Sequence, residues 1–172
     1  MKDLVIISGN PGSGKTTISG MLEKRGFKGL RIDDFYLIAQ RDSRIPNWFE
    51  DKEFLDAAYA AFEAEIRNSL QEKKPLVIET TGLGNRWKDL LTMLVSKFPD
   101  RFVLIYLKTS RETSLQRIHN RNDTNYSIKM SDKEVTRFFE LEKDTPKQYE
   151  HLVDAERPID QVFSEISRII ST

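Results

Sequence analysis

The segment Gly9-Asn10-Pro11-Gly12-Ser13-Gly14-Lys15-Thr16 carries the spacing G-x-x-x-x-G-K-T. Glycines at those positions let the backbone curl, so that successive N–H groups point inward at a polyphosphate. Lys15 can then reach the β- and γ-phosphates, and the Thr16 hydroxyl can ligate Mg²⁺. A helix beginning here adds the positive end of its dipole. A Gly-rich turn could carry the same letters by accident. This one follows a short apolar run and precedes a helical pattern, as the chemistry requires. The segment therefore predicts phosphate binding, which GTPases, ATPase motors and small kinases all share.

Three carboxylates stand where such a loop would need them. Asp33 and Asp34 follow a second extended stretch, and Glu79 follows Leu76-Val77-Ile78. A carboxylate close to a γ-phosphate can orient and deprotonate an alcohol. Ligands of an open parallel sheet lie beyond the carboxyl ends of its strands, and Gly9, Asp33 and Glu79 are all expected at such ends. Neighbouring residues at a strand exit point to different sides, so Asp33 is the candidate base and Asp34 a helix cap. A cap role stays open for Asp33, and a structural one for Glu79. Thr80 and Thr81 can serve either the neighbouring turn or a substrate.

Between Arg101 and Lys129 six basic residues face two acidic ones, a net +4 in a chain of zero formal charge. Arg117 and Arg121 are four apart and share one face of a helix. Guanidinium groups suit bidentate phosphate contacts, although a solvated basic helix face has the same pattern. Phe35, Tyr36, Trp48 and Phe49 can stack on a ring or simply pack. Arg41, Arg44 and Arg86 can meet an acidic substrate or lie on the surface. His119 and His151 lack an Asp or Ser partner at recognisable spacing, so both read as structural or surface residues.

Positioning these groups requires strands that alternate with helices. Strands are expected at residues 4–8, 29–32, 75–78 and 102–107, with a weaker one at 151–154. Helices are expected at 16–25, with Gly26 at the C-cap, and at 50–71, 86–98, 110–118, 131–143 and 159–170. An irregular stretch surrounds Pro46. The long 50–71 helix carries an acidic run that reads as a solvated face. This alternation predicts an α/β fold with a mostly parallel sheet.

The chain has 172 residues, with 27 Lys+Arg against 27 Asp+Glu and no Cys. The length suits one domain over residues 1–172. The charge balance gives no global pull toward nucleic acid or anionic membrane. Without Cys there are no disulfides, thiolate zinc sites or Cys nucleophiles. No apolar run approaches the ~18 residues of a membrane span, so a cytoplasmic protein is expected. A GTPase would need N-K-x-D; Asn120-Arg121-Asn122-Asp123 comes near but ends a helical pattern. Motor ATPases are usually longer, although Glu79 after its apolar strand imitates their acidic residue.

With the loop, Arg31-Ile32-Asp33-Asp34-Phe35-Tyr36 and Leu76-Val77-Ile78-Glu79-Thr80-Thr81-Gly82 in view, the sequence resembles the nucleoside-monophosphate-kinase-like branch of P-loop kinases. Its D-D-F-Y stretch looks like the uridine and nicotinamide riboside kinases. The loop and paired aspartates are also similar to polynucleotide 5′-hydroxyl kinases, whose Arg after the aspartates is here replaced by Phe35 and Tyr36. The resemblance implies a three-layer P-loop NTPase fold with a five-stranded parallel sheet, order 2-3-1-4-5. It implies Asp33 as base, Glu79 as support for metal or substrate, and a lid over about residues 121–131 fed by Arg117 and Arg121.

The expected activity is transfer of the ATP γ-phosphate to a hydroxyl of a small polar metabolite, with a nucleoside-like acceptor foremost. Lys15, Asp33 and Arg121 form the expected catalytic set. Gly9 to Thr16, with Thr17 and Arg117, would bind the donor, and Thr16 and Glu79 the metal. Three other outcomes stay open: a polynucleotide 5′-hydroxyl kinase, a toxin- or antibiotic-modifying phosphotransferase, and a non-catalytic nucleotide-binding module. The protein is expected to act as a monomer or homodimer.

Overall fold

The computed structural model describes residues 2–43, 51–82, 85–121, 130–144 and 150–172. The central strand β1 (Leu4–Gly9) is buried along its whole length. Its side chains alternate between two apolar layers, as the two-residue period of a strand dictates. Leu4 and Ile6 enter one core, and Val5 and Ile7 the other. Such a strand needs partners on both edges and cover on both faces.

The chain supplies them in the order α1 (Lys15–Glu23), β2 (Lys28–Arg31), α2 (Ile32–Ser43), α3 (Lys52–Gln71), β3 (Leu76–Thr80) and α4 (Asn85–Lys97). Then follow β4 (Phe102–Lys108), α5 (Arg111–His119), α6 (Asp132–Asp144), β5 (His151–Asp154) and α7 (Ile159–Ser171). The sheet order is β2-β3-β1-β4-β5, every pair parallel. One face packs on α3 and α4 through Phe62, Ile66, Leu90 and Leu94. The opposite face packs on α1 and α7 through Ile18, Leu22, Phe163 and Ile166. These three layers form the expected P-loop NTPase architecture with the expected strand order.

Local signals set most boundaries. Asp51 caps α3, its carboxylate accepting from Phe54 N at 2.9 Å, and Ser110 caps α5 through Thr113 N. Helix α1 ends with Gly26 N donating to Glu23 O and Phe27 N to Leu22 O. Gly26 has φ 94° there, the left-handed turn that closes a helix end and lets Phe27 fold back beside Leu22.

Two elements depart from the sequence expectation. Asp33 and Asp34 do not end a strand. They lie in the first turn of α2, where carboxylates meet the positive end of the helix dipole. Phe35 turns inward there and meets the Phe62 ring edge-on at 5.3 Å. Strand β3 also runs on through Glu79 to Thr80, because both stay in the ladder with Ile7 and Ser8 of β1. The Pro46 stretch, with Arg44, Trp48 and Phe49, lies outside the described residues, as do residues 122–129 of the expected lid.

Candidate active site

Carboxyl-terminal ends of β1, β2 and β3 converge on the loop that follows β1. Gly12, in the middle of this loop, has φ 77°, and a Cβ there would stand 2.8 Å from the Ser114 carbonyl oxygen of α5. Both the backbone angle and the approach of α5 demand glycine. Gly14, at φ 92°, turns the chain into α1. The loop closes on itself as Ser13 N donates to Asn10 O at 3.1 Å. Lys15 Nζ donates to Gly9 O at 2.8 Å and to Asn10 O at 2.9 Å. The ammonium is thus held over the cradle by the backbone it serves.

Around that ammonium the structure gathers the expected charges. Burial pulls the Lys15 pKa down, while Glu79 and then Asp33 push it back up. Burial raises the Asp33 carboxyl above the usual carboxylate range; the charges of Lys15 and Arg121 oppose the rise and that of Asp34 adds to it. Arg121, exposed at the end of α5, therefore lies within electrostatic reach of both Lys15 and Asp33. Although α2 displaces it from a strand end, Asp33 is still delivered beside Lys15, because α2 starts directly where β2 stops.

Glu79 is 4% exposed. Its Oε1 accepts from the Thr16 hydroxyl at 2.7 Å. Its Oε2 is buried without a hydrogen bond among the described residues, and Arg31 Nε approaches it at 3.4 Å. Burial raises the Glu79 pKa, and Lys15 and the Thr16 hydroxyl counter it. Thr17 is exposed on the same turn of α1.

Arg31 is a site residue the sequence reading did not assign. It pairs with Glu23, approaches Asp34 at 3.8 Å and leans on Glu79. The signal lay in register, since Arg31 stands directly opposite Glu79 across the β2–β3 ladder. Opposite charges facing each other on adjacent strands are mutually stabilising.

Arg117 donates to Gly12 O at 3.3 Å and to Ala155 O at 2.8 Å. It fastens the loop to the turn after β5. That same turn holds Glu156, whose carboxylate accepts from both the hydroxyl and the backbone N–H of Ser110. These bonds push the Glu156 pKa down to about 2. Thr80 and Thr81 serve the adjoining turn. The Thr80 hydroxyl accepts from Gly82 N at 3.2 Å, and the Thr81 carbonyl accepts from Ser8 Oγ at 3.0 Å.

Other candidates are engaged elsewhere. Arg86 donates to Asp56 O at 2.8 Å and lies over the Tyr59 ring. Arg101 pairs with Asp3 at the amino ends of the strands, opposite the loop. Arg41 falls within α2. His119 does find an acidic partner, Asp132, with Nε2 and Oδ1 2.6 Å apart. Their separation of 13 residues crosses from α5 to α6, which sequence spacing alone does not reveal. Burial and the Asp33 charge push the Tyr36 phenol up to about 12, so it stays neutral beside Asp33.

The arrangement joins a tightly curled glycine loop, a half-buried ammonium, a hydroxyl-bearing helix start and a carboxylate with raised pKa at one sheet end. Residues 4–140 match the family described as an AAA domain. The chain belongs to this family. Among curated proteins none matches it. Solved structures share the fold of this AAA domain over nearly the whole chain. A gluconokinase from Sinorhizobium meliloti 1021 is 19% identical, with TM-score 0.65 and 98% of this chain and 93% of that one covered. A shikimate kinase from Bacteroides thetaiotaomicron is 14% identical, with TM-score 0.66 and 98% of each chain covered. A deoxyadenosine kinase from M. mycoides, solved with bound dATP, is 15% identical, with TM-score 0.60 and all of both chains covered.

No helix among the described residues is long and apolar enough to cross a membrane. The family match ends before β5 and α7. The bracing by Ala155 and Glu156 therefore comes from residues outside the AAA-domain match.

Proposed function

We propose that the protein is a kinase that transfers the γ-phosphoryl group of ATP to a hydroxyl of a small polar metabolite, with a nucleoside-like acceptor foremost. The observation that carries this reading is the convergence, at one end of the sheet, of a glycine loop whose carbonyls hold Lys15 Nζ, the Thr16–Glu79 hydrogen bond, and Asp33 in the first turn of α2. A carboxylate whose charge is felt by Lys15 and Arg121 suits phosphoryl transfer, whose catalysis is positioning and charge neutralisation. The names gluconokinase, shikimate kinase and deoxyadenosine kinase on similar folds support the kinase class and leave the acceptor to be found.

In this reading the amides of residues 9–16 and the Lys15 ammonium hold the phosphate chain. Thr17 lies at the edge of that donor site. Asp33 accepts the acceptor's hydroxyl proton as its oxygen bonds to phosphorus and the bond to the ADP leaving group breaks. Arg121 stabilises charge on the transferring group, an effect worth ~10³–10⁵ in rate for a well-placed arginine. Arg117 serves as a brace for Gly12 and the donor site.

Mg²⁺ fits the donor set, since Thr16 Oγ1 and the Glu79 carboxylate are hard oxygen ligands. The buried Glu79 Oε2, without a hydrogen bond, supports that fit. Among the described residues no group of three or more His, Asp or Glu side chains could hold a metal alone. When bound, Mg²⁺ would neutralise charge on the β- and γ-phosphates.

The test is labelled ATP incubated with Mg²⁺ and a panel of nucleosides, sugars, sugar acids and an oligonucleotide 5′-hydroxyl end. Transfer to one class of small metabolite identifies the acceptor. Tight ATP binding without transfer to any of them refutes the kinase reading.

A further inference from the structure

The loop motif asks only backbone N–H groups of its variable positions. Asn10 nevertheless places a primary amide there, and the residue is 3% exposed. A buried amide needs a hydrogen-bond partner. Its Nδ2 donates to Glu142 Oε2 at 2.5 Å, across 132 residues of sequence. Glu142 stands on α6, beyond the residues that match the family.

We propose that Glu142 is a positioning residue for the phosphate loop, acting through Asn10 on Lys15. The Asn10 carbonyl is the junction of the loop. It accepts from Lys15 Nζ at 2.9 Å and from Ser13 N at 3.1 Å. Fixing the Asn10 side chain therefore fixes the oxygen that aims the ammonium and closes the turn. The support itself is firm. Helix α6 begins with a reciprocal cap, Ser131 Oγ accepting from Glu134 N while Glu134 Oε2 accepts from Ser131 N and Oγ. It is anchored by the fully buried Val135 and tied to α5 by Asp132 and His119. A carboxylate beside a polyphosphate site is electrostatically unfavourable, so its presence points to the hydrogen bond and not the charge as its use.

This inference goes beyond the proposed kinase reaction and requires only that the loop bind a nucleotide. The test is calorimetric titration of ATP and ADP into wild type, Glu142→Ala, Glu142→Gln, Asn10→Ala and the Asn10→Ala/Glu142→Ala double variant, with Tm recorded for each. Glu142→Ala is expected to weaken nucleotide binding about tenfold, the lower end of what a hydrogen bond to an ionised acceptor is worth. Glu142→Gln, which keeps an acceptor oxygen at the same reach, restores most of that loss. The double variant binds no worse than the weaker single one, because the two residues act as a unit.

Unchanged affinity in Glu142→Ala, or losses that add in the double variant, overturns the proposal. If Asn10→Ala fails to fold, the comparison of Ala with Gln at the half-buried Glu142 still decides. Wild type that binds neither nucleotide refutes the reading of the loop itself.

Discussion

Arg117 carries the sharpest quantitative test, because its two bonds distinguish a brace from a phosphate ligand. Its guanidinium spans Gly12 O at 3.3 Å and Ala155 O at 2.8 Å. Hydrogen bonds from a charged donor contribute about 1.5–3 kcal/mol each. The bond to Ala155 is short enough to count in full, and the longer one to Gly12 adds a fraction. Arg117→Ala should therefore destabilise the protein by about 2–3 kcal/mol. For a chain of this size, each kcal/mol lowers Tm by about 2–4 °C, which gives a fall of roughly 4–12 °C. With Gly12 freed from the turn after β5, the KM for ATP should rise severalfold and kcat should remain within about tenfold of wild type. Thermal unfolding by circular dichroism reads the first effect and steady-state kinetics the second. An unchanged Tm together with a collapse of kcat would refute the reasoning, since that pattern belongs to an arginine acting on the transferring phosphate.

Three further outcomes follow from the same geometry. Asp33→Asn should cut kcat by about 10²–10⁴, the range for a lost general base, and leave ATP affinity intact by calorimetry. Because burial raises the Asp33 pKa, ionising it costs folding free energy above the ordinary value of 3.8. The variant should thus melt higher than wild type at pH 7, and that advantage should fade as the pH approaches 3.8; a lower Tm at pH 7 would contradict the assignment. Gly12→Ala should lower both Tm and nucleotide affinity, since the methyl group meets Ser114 O at 2.8 Å and left-handed backbone costs a non-glycine residue ~1–2 kcal/mol. Glu156, held at a pKa of about 2, stabilises the fold above its ordinary value of 4.5 and loses that contribution as pH falls toward 2. Melting curves of wild type should therefore drop more steeply over that interval than those of Glu156→Gln.

What could be read from sequence was what local chemistry determines. The loop, the five strands and the helix end at Gly26 follow from residue type and short-range spacing, whereas the caps Asp51 and Ser110 fall just inside the helices that spacing alone predicts. Helix α2 escaped because an Asp-Asp pair suits a strand exit and a helix first turn equally well; packing of Phe35 on Phe62 decides between them. Arg117 was legible as a basic residue on the correct face. Its partners are backbone carbonyls brought from Gly12 and Ala155, which have no signature in sequence. Arg31 and Glu142 were missed for the same reason. Each acts through a contact created by register or tertiary docking, and each looks in isolation like one more surface charge.

Strand order also carries a consequence for synthesis. β1, which leads into the phosphate loop, lies between β3 and β4, so both of its edges are completed by later-made chain. One edge stays open until residues 76–80 have emerged from the ribosome, and the other until residues 102–108 have. During that interval the nascent chain exposes an apolar strand with unpaired backbone on both sides, a species prone to wrong pairing. Such distant pairings also slow folding, since chain entropy is lost before the contacts reward it. The loop is also unsupported at that stage, because the close packing of Gly12 against Ser114 of α5 waits for later chain.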